Sequence, residues 1–277
     1  MNILGLGSAG CQIAKSFENY EQYEIFCIDT ENKGYPTFLP VEVQNSHEDY
    51  EKNYKKLNLN DCVGETTLIL SGAGKISGCV LRLLEQFQDL PIQIIYIKSD
   101  ELVMSEAAKI RDRIVFYILQ EYVRSDKIKN MYIVSNRSVE SVVGNSSITN
   151  YWNEINNVIS STYHMLNVFK KTEPLLTNLP TAKETSRIGT FGVVNFETGK
   201  EKLFYDLQFP RLKNYFYGMN NETLENNKEI LRNIRDFVES KKEEKSDVGF
   251  SIYPTSYENN YVYSTHYASF VQEQNIE

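Results

Sequence analysis

At 277 residues, 41% hydrophobic and 24% charged, the chain has the make-up of an ordinary globular protein able to bury one large core or two smaller ones. A formal net charge of -8 sets the surface as a whole against nucleic acid and acidic lipid. Four cysteines without a C-x-x-C pair and three scattered histidines argue against a zinc site and for reduced thiols, with Cys27 and Cys79 as small buried hydrophobes. No apolar stretch approaches the ~18 residues of a membrane span. The N-terminus opens on a strand-like run instead of the charged segment and apolar run of a secretory leader, so a cytoplasmic setting is expected.

Residues 2–6 read as a strand. A glycine-rich turn follows, then a helix over 11–19 with Ile13, Ala14 and Phe17 inward. Residues 23–29 form a second strand ending in Asp29, and 30–46 read as loop, broken by Gly34, Pro36 and Pro40. A polar helix is expected over 47–57 and a buried strand over 66–71. A second glycine-rich turn occupies 72–78 (GAGKISG), and a helix over 79–87 carries Val80, Leu83, Leu84 and Phe87 at helical spacing. Strands over 92–97 and 131–135 flank a helix over 105–122 with Ile110, Ile114, Ile118 and Tyr122 on one side.

This alternation predicts a doubly wound α/β domain with a mostly parallel sheet over 1–146. A long helix follows over 147–171, with Ile148, Tyr151, Trp152, Ile155, Val158, Ile159 and Leu166 at three- and four-residue steps. Residues 171–187 read as irregular. A smaller α+β domain is expected over 186–277: a strand over 189–195, a helix over 221–240 with Leu224, Leu231, Ile234 and Val238 inward, a solvated charge run over 241–245, and strands over 248–254 and 261–270.

The first turn, Gly5-x-Gly7-x-x-Gly10, leaves a strand and opens a helix, the arrangement that offers backbone N–H groups and a helix N-terminus to phosphate. Asp29 stands about 20 residues on, as in NAD-binding domains. An NAD-dependent oxidoreductase is therefore one reading, weakened by the second glycine turn and by the absence of a catalytic His or Lys constellation downstream.

In its order of motifs the chain resembles the tubulin/FtsZ superfamily. GLGSAGCQ (Gly5, Gly7, Ser8, Ala9, Gly10, Cys11, Gln12) looks like the first phosphate loop, and YEIFCIDT like the FtsZ strand ending in INTD. LILSGAGKISG (with Gly72, Ala73, Gly74, Lys75, Ser77, Gly78) occupies the place of the GGGTGTG signature. IVSNRSVESVVG is similar to the FtsZ stretch IPNDKLLKVLG, and NYWNEINNVI to DAFGAANDVL at the start of the central helix. The resemblance implies that Trp152 stacks on guanine and that Asn156, one turn later on the same face, hydrogen-bonds the base edge. It also places Glu106 and Arg111 on the helix that supplies ribose and base contacts.

The resemblance implies GTP or GDP as cofactor, with Mg²⁺ if phosphates are bound, and self-association into filaments. A protein partner or cargo is implied without being identified. The small size and eroded motifs point to a viral or plasmid-borne member. The second turn lacks the central Gly-Thr-Gly; Lys75 can compensate by charge, and Ser77 is a candidate phosphate or Mg²⁺ contact. No third loop of the GAGGNP kind is evident between residues 45 and 64. The catalytic loop, N-x-D-x-x-D in the family, reads here Asn178-Leu179-Pro180-Thr181-Ala182-Lys183-Glu184. Pro180 and Lys183 replace the acids that position water, and Glu184 is one residue displaced, so slow or absent hydrolysis is expected. A non-catalytic tubulin-fold scaffold with an eroded pocket is the alternative.

Overall fold

The structure is a computed structural model describing residues 1–87, 90–181 and 184–272. Its chain divides into two compact units, Met1–Ser160 and Ser161–Glu277.

In the first unit, strands β1 (Asn2–Leu6), β2 (Glu24–Asp29), β3 (Thr37–Pro40), β4 (Thr66–Leu70), β5 (Ile92–Lys98) and β6 (Asn130–Ser135) lie in the order β3-β2-β1-β4-β5-β6. Every neighbouring pair is parallel. β1, β4 and β5 are buried along their whole length, which is why they appear in the sequence as largely apolar runs without alternation. Strand order reverses direction at β1: the chain goes one way to β2 and β3 and the other way to β4, β5 and β6. Such a switch opens a crevice outside the carboxyl ends of β1 and β4, where the two glycine turns begin.

Helix α1 (Gly7–Lys15) starts at Gly7, four residues ahead of expectation, and passes into a 3₁₀ turn over Ser16–Asn19. Gly7 has φ +70°, a conformation that suits glycine. A Cβ on Gly10 would meet the Ile69 carbonyl oxygen at 2.2 Å, and one on Gly5 would meet the Cys11 Cα at 2.6 Å. These glycines thus let α1 press onto β1 and β4. Ile13, Ala14 and Phe17 are buried as expected.

The segment read as loop contains β3, an edge strand closed by Pro40, where proline's missing donor is tolerated. Helix α2 (His47–Lys52) is shorter than expected and is capped by Ser46 Oγ, which accepts from Asp49 N at 3.1 Å. After β4 the second turn winds into a 3₁₀ segment, Lys75–Cys79, before α3 (Val80–Leu84). Helix α4 (Glu106–Arg124) buries Asp112, Val115, Phe116, Leu119, Gln120 and Val123. Its isoleucine row faces the other way, with Ile110 58% exposed. Helix α5 (Asn136–Val143) leads to α6 (Tyr151–Lys171), which starts at Tyr151 rather than residue 147, leaving Ile148 exposed. Trp152 is exposed too, so the apolar spacing on α6 overstates its buried stripe.

The second unit takes the C-terminal half of α6, then β7 (Leu176–Thr177), β8 (Ile188–Val194), β9 (Glu201–Leu203), β10 (Leu212–Asn220), α7 (Asn221–Asn226), α8 (Ile230–Ser240), β11 (Asp247–Thr255) and β12 (Tyr261–Ala268). Strand order is β8-β12-β10-β11-β7, with β9 on β8. β10 runs parallel to β11 and antiparallel to β12, so it separates the two last strands. The single helix expected over 221–240 is two helices, and Asn227 N closes the first on Thr223 O at 3.1 Å. Ile234 and Val238 are buried with Tyr215, Tyr217, Phe250 and Val262, and Leu224 and Leu231 pack partly buried against them. The run 241–245 is not wholly solvated: buried Lys213 donates to the Lys241 carbonyl at 3.2 Å and to Glu243 Oε1 at 2.6 Å.

Candidate functional site

A cavity of about 420 Å³ opens in the first unit at the switch point. The start of α1 gives it Ser8, Ala9, Gln12 and Ile13; the ends of β5 and β6 give Ile97, Ser99 and Asn136; α6 gives Trp152, Asn153 and Asn156. The size suits a small-molecule ligand, and its composition, apolar walls with a few amides and hydroxyls, is that of a ligand cleft. Trp152 offers an exposed indole at the mouth, set edge-on to Tyr151 with centroids 5.0 Å apart. Asn156 is only 8% exposed and lies one turn further along the same face.

Within the first turn the residues divide. Ser8 and Ala9 are exposed, and Ser8, Ala9 and Gln12 line the cavity. Gly5, Gly7, Gly10 and Cys11 are buried and shape the backbone beneath it. Cys11 Sγ donates to Gly5 O at 3.4 Å, and its thiol is pushed up by a hydrogen bond with Cys27 and by burial, so it is a core group and not a nucleophile. All four cysteines are free and buried. Lys33 Nζ donates to Ser8 Oγ at 3.3 Å, which places a cation beside the start of α1. Asp29 is 7% exposed; its carboxylate accepts from Thr30 N at 2.8 Å and from the Tyr35 hydroxyl at 3.5 Å. A carboxylate engaged in this way is poorly placed to read a ribose. Tyr35 is itself pushed up to about 12, mainly by burial.

The second turn is turned inward. Ser77 is 1% exposed and donates its hydroxyl to Gly72 O at 2.8 Å and Gly74 O at 2.7 Å. That hydroxyl closes the loop and is not aimed at a phosphate or Mg²⁺. A Cβ on Gly72 would meet Tyr96 Oη at 2.1 Å, and one on Gly78 the His47 carbonyl oxygen at 2.0 Å. Ala73 is half-buried, and only Gly74 and Lys75 of the six proposed contacts are exposed. The Ile76 side chain lies against Gly7, joining the two turns. None of residues 72–78 is among the cavity's lining residues.

Arg111 donates Nε to Ala73 O at 3.0 Å, so it braces the second turn. Glu106 stands in solvent, paired with Lys109 at 2.8 Å. In the second unit, Asn178 holds the proposed catalytic loop to β11: its Oδ1 accepts from Phe250 N at 2.7 Å, and Pro180 packs over Gly249. Glu184 is exposed; Ala182 and Lys183 lie outside the described residues. Among the described residues no group of three or more His, Cys, Asp or Glu side chains could hold a metal, and no helix is long and apolar enough to cross a membrane.

Ser99, Asn136, Asn153 and Lys33 were not singled out from sequence. Ser99 and Asn136 were findable, because Asn136 directly follows one predicted strand and Ser99 lies two residues past another, at the carboxyl edge where ligands bind. Lys33 carries no sequence signal; it reaches Ser8 only because the loop before β3 folds back.

No protein-family model and no curated protein sequence matches the chain. Solved structures do. A GTPγS-form protofilament of TubZ from Bacillus thuringiensis serovar israelensis superposes with a TM-score of 0.68 at 14% identity, covering 97% of this chain and 86% of that one. GTPγS-bound CetZ2 from Haloferax volcanii gives 0.66 at 11% identity, covering 96% and 92%. An empty FtsZ dimer from M. jannaschii gives 0.64 at 10% identity, covering 96% and 87%. The fold is that of the tubulin/FtsZ superfamily.

Proposed function

We propose that the first unit binds a guanine nucleotide and that the chain is a head-to-tail assembling subunit of tubulin/FtsZ type. One observation carries this reading: a single cleft at the switch point brings Ser8, Ala9 and Gln12 of a phosphate-type turn together with Trp152 and Asn156. The phosphates would lie over the start of α1, with Lys33 beside them, and the base between Trp152 and the amides of Asn136 and Asn156. Any Mg²⁺ would be carried by the nucleotide's own phosphates. The TubZ and CetZ2 structures of the same fold are GTPγS-form protofilaments, which supports assembly as the outcome. In this reading residues 1–146 bind nucleotide, 147–171 form the connecting helix, and 186–277 carry the surface that meets the next subunit.

Hydrolysis is proposed to be slow or absent, because Pro180 stands in the place of an acid and Asn178 is spent on β11. The inward Ser77 hydroxyl and the Ile76–Gly7 contact favour the second reading, a scaffold that retains the fold without nucleotide.

Titration calorimetry of the purified protein with GTP, GDP, ATP and NAD separates these. Guanine nucleotides are expected to bind and NAD is not; binding of NAD alone would overturn the proposal, and binding of none would leave the scaffold. Trp152→Ala is expected to weaken guanine-nucleotide affinity by ~1–3 kcal/mol, the scale of a lost stacking contact. Unchanged affinity would make the indole a plain surface residue. GTP turnover is expected to be unaffected by Glu184→Ala; rapid turnover that collapses in that variant would restore a catalytic acid.

A further inference from the structure

Helix α4 carries an apolar row in solvent. Ile110, Ile114 and Ile118 are 58%, 47% and 36% exposed. Four-residue steps set them in line along the helix. Leu102 and Val103, just ahead of the helix, are 78% and 83% exposed. The unit's core is supplied by the opposite face, through Val115, Phe116, Leu119 and Val123. So many large aliphatic side chains held together in water mark a contact surface.

The charges beside the row indicate what covers it. Glu106 is in the first turn of α4 and Arg124 in the last. About five helical turns separate them, so both stand on one edge of the helix. Their side chains are 84% and 49% exposed, and each makes an exposed pair with a helix neighbour, Lys109 or Glu121, at 2.8 Å. Exposed pairs of this kind are weak and readily exchanged. When two copies of α4 lie antiparallel about a two-fold axis at Ile114, Ile110 of one copy meets Ile118 of the other. The same placement sets Glu106 of each copy beside Arg124 of the other, at both ends. Parallel pairing would instead carry the two Glu106/Arg124 edges to opposite sides of the contact, where neither charge meets its opposite, and would align the two helix dipoles. A self-complementary patch of this kind is what an isologous contact requires.

We propose that α4 is an antiparallel, two-fold pairing surface for a second copy of this chain, separate from the nucleotide cleft and from head-to-tail assembly. Sedimentation velocity without nucleotide is expected to show a concentration-dependent dimer that Ile114→Lys abolishes while leaving the thermal melt unchanged. Glu106→Arg should weaken the dimer at least tenfold, and adding Arg124→Glu should restore it. Mild oxidation of Ile114→Cys should give a disulfide dimer, against a quiet background because the natural cysteines are buried; the exposed control Lys56→Cys should stay monomeric. Ile110→Cys should cross-link with Ile118→Cys but poorly with itself, since antiparallel pairing sets like positions about 12 Å apart along the axis. A monomer at all concentrations, cross-linking of Ile114→Cys no faster than Lys56→Cys, or equally fast self-cross-linking of Ile110→Cys would overturn the proposal.

Discussion

Asp112→Ala is expected to destabilise the first unit by about 3–5 kcal/mol, the cost of stranding a buried charge. Asp112 is 2% exposed although it sits on a helix. Its Oδ2 takes the Lys98 ammonium at 2.6 Å, and its Oδ1 takes the Tyr96 hydroxyl at 2.7 Å. Lys98 is itself buried, with Nζ 4.4 Å from the centre of the Phe116 ring, so it has little access to water when its counter-charge is removed. The double variant Lys98→Met/Asp112→Leu should recover most of the loss, because an apolar pair leaves no charge behind. Urea unfolding of the four proteins of that cycle measures the coupling; additive losses would show that the two groups act independently. The effect should reach the second glycine turn. Tyr96 and the Asp112 backbone are the surfaces on which Gly72 rests, so single variants should also loosen that turn while the protein is still folded.

The same residue explains where sequence reading succeeds and fails. The parallel strands were legible because burial on both faces leaves near-continuous apolar runs, such as IQIIYI in β5. The glycine turns were legible because close packing admits nothing larger at Gly5 and Gly10. On α4 periodicity picked out the row of Ile110, Ile114 and Ile118, which is the exposed face. The buried face contains Asp112 and Gln120, which periodicity discards; only the distant Lys98 and Tyr96 make burial of Asp112 affordable. β10 was hidden for a related reason: Lys213 and Asn214 interrupt its pattern, and buried Lys213 is satisfied by Glu243, far along the chain. At the candidate site, the turn that gives the cleft Ser8, Ala9 and Gln12 was read from Gly5–Gly10 spacing. The inward turn of Ser77 was not, because a serine's hydroxyl direction depends on which carbonyls the loop presents, here Gly72 and Gly74. The exposure of Trp152 was likewise invisible, since its spacing fits the buried stripe of α6 equally well.

The second unit holds its own buried charge cluster, and acid should expose it. Glu201 Oε1 lies 3.0 Å from His266 Nε2, and its Oε2 accepts from the Tyr215 hydroxyl at 3.2 Å and faces Lys241 Nζ at 3.5 Å. Burial pushes the Glu201 carboxyl up, but the hydrogen bond and charge of His266, with help from Lys241, outweigh it and hold the group down at about 2. A carboxylate depressed in the fold contributes stability above its unfolded value of 4.5 and loses that stability as pH falls through about 2. The contribution at neutral pH is on the order of 3 kcal/mol. Glu201→Gln preserves shape and removes the charge. It should therefore be less stable than the natural protein by about that amount at pH 7, with the gap closing between about pH 4.5 and 2, where the natural carboxylate is neutralised as well. Glu201→Ala should cost more at every pH, because it also opens a void and leaves Tyr215 and His266 without their acceptor. Urea midpoints across that pH range decide the matter. A gap between the natural protein and Glu201→Gln that stays constant down to pH 2 would mean that the pair is not charged in the fold, and that β9 is tied to β10 and β12 by packing and neutral hydrogen bonds instead.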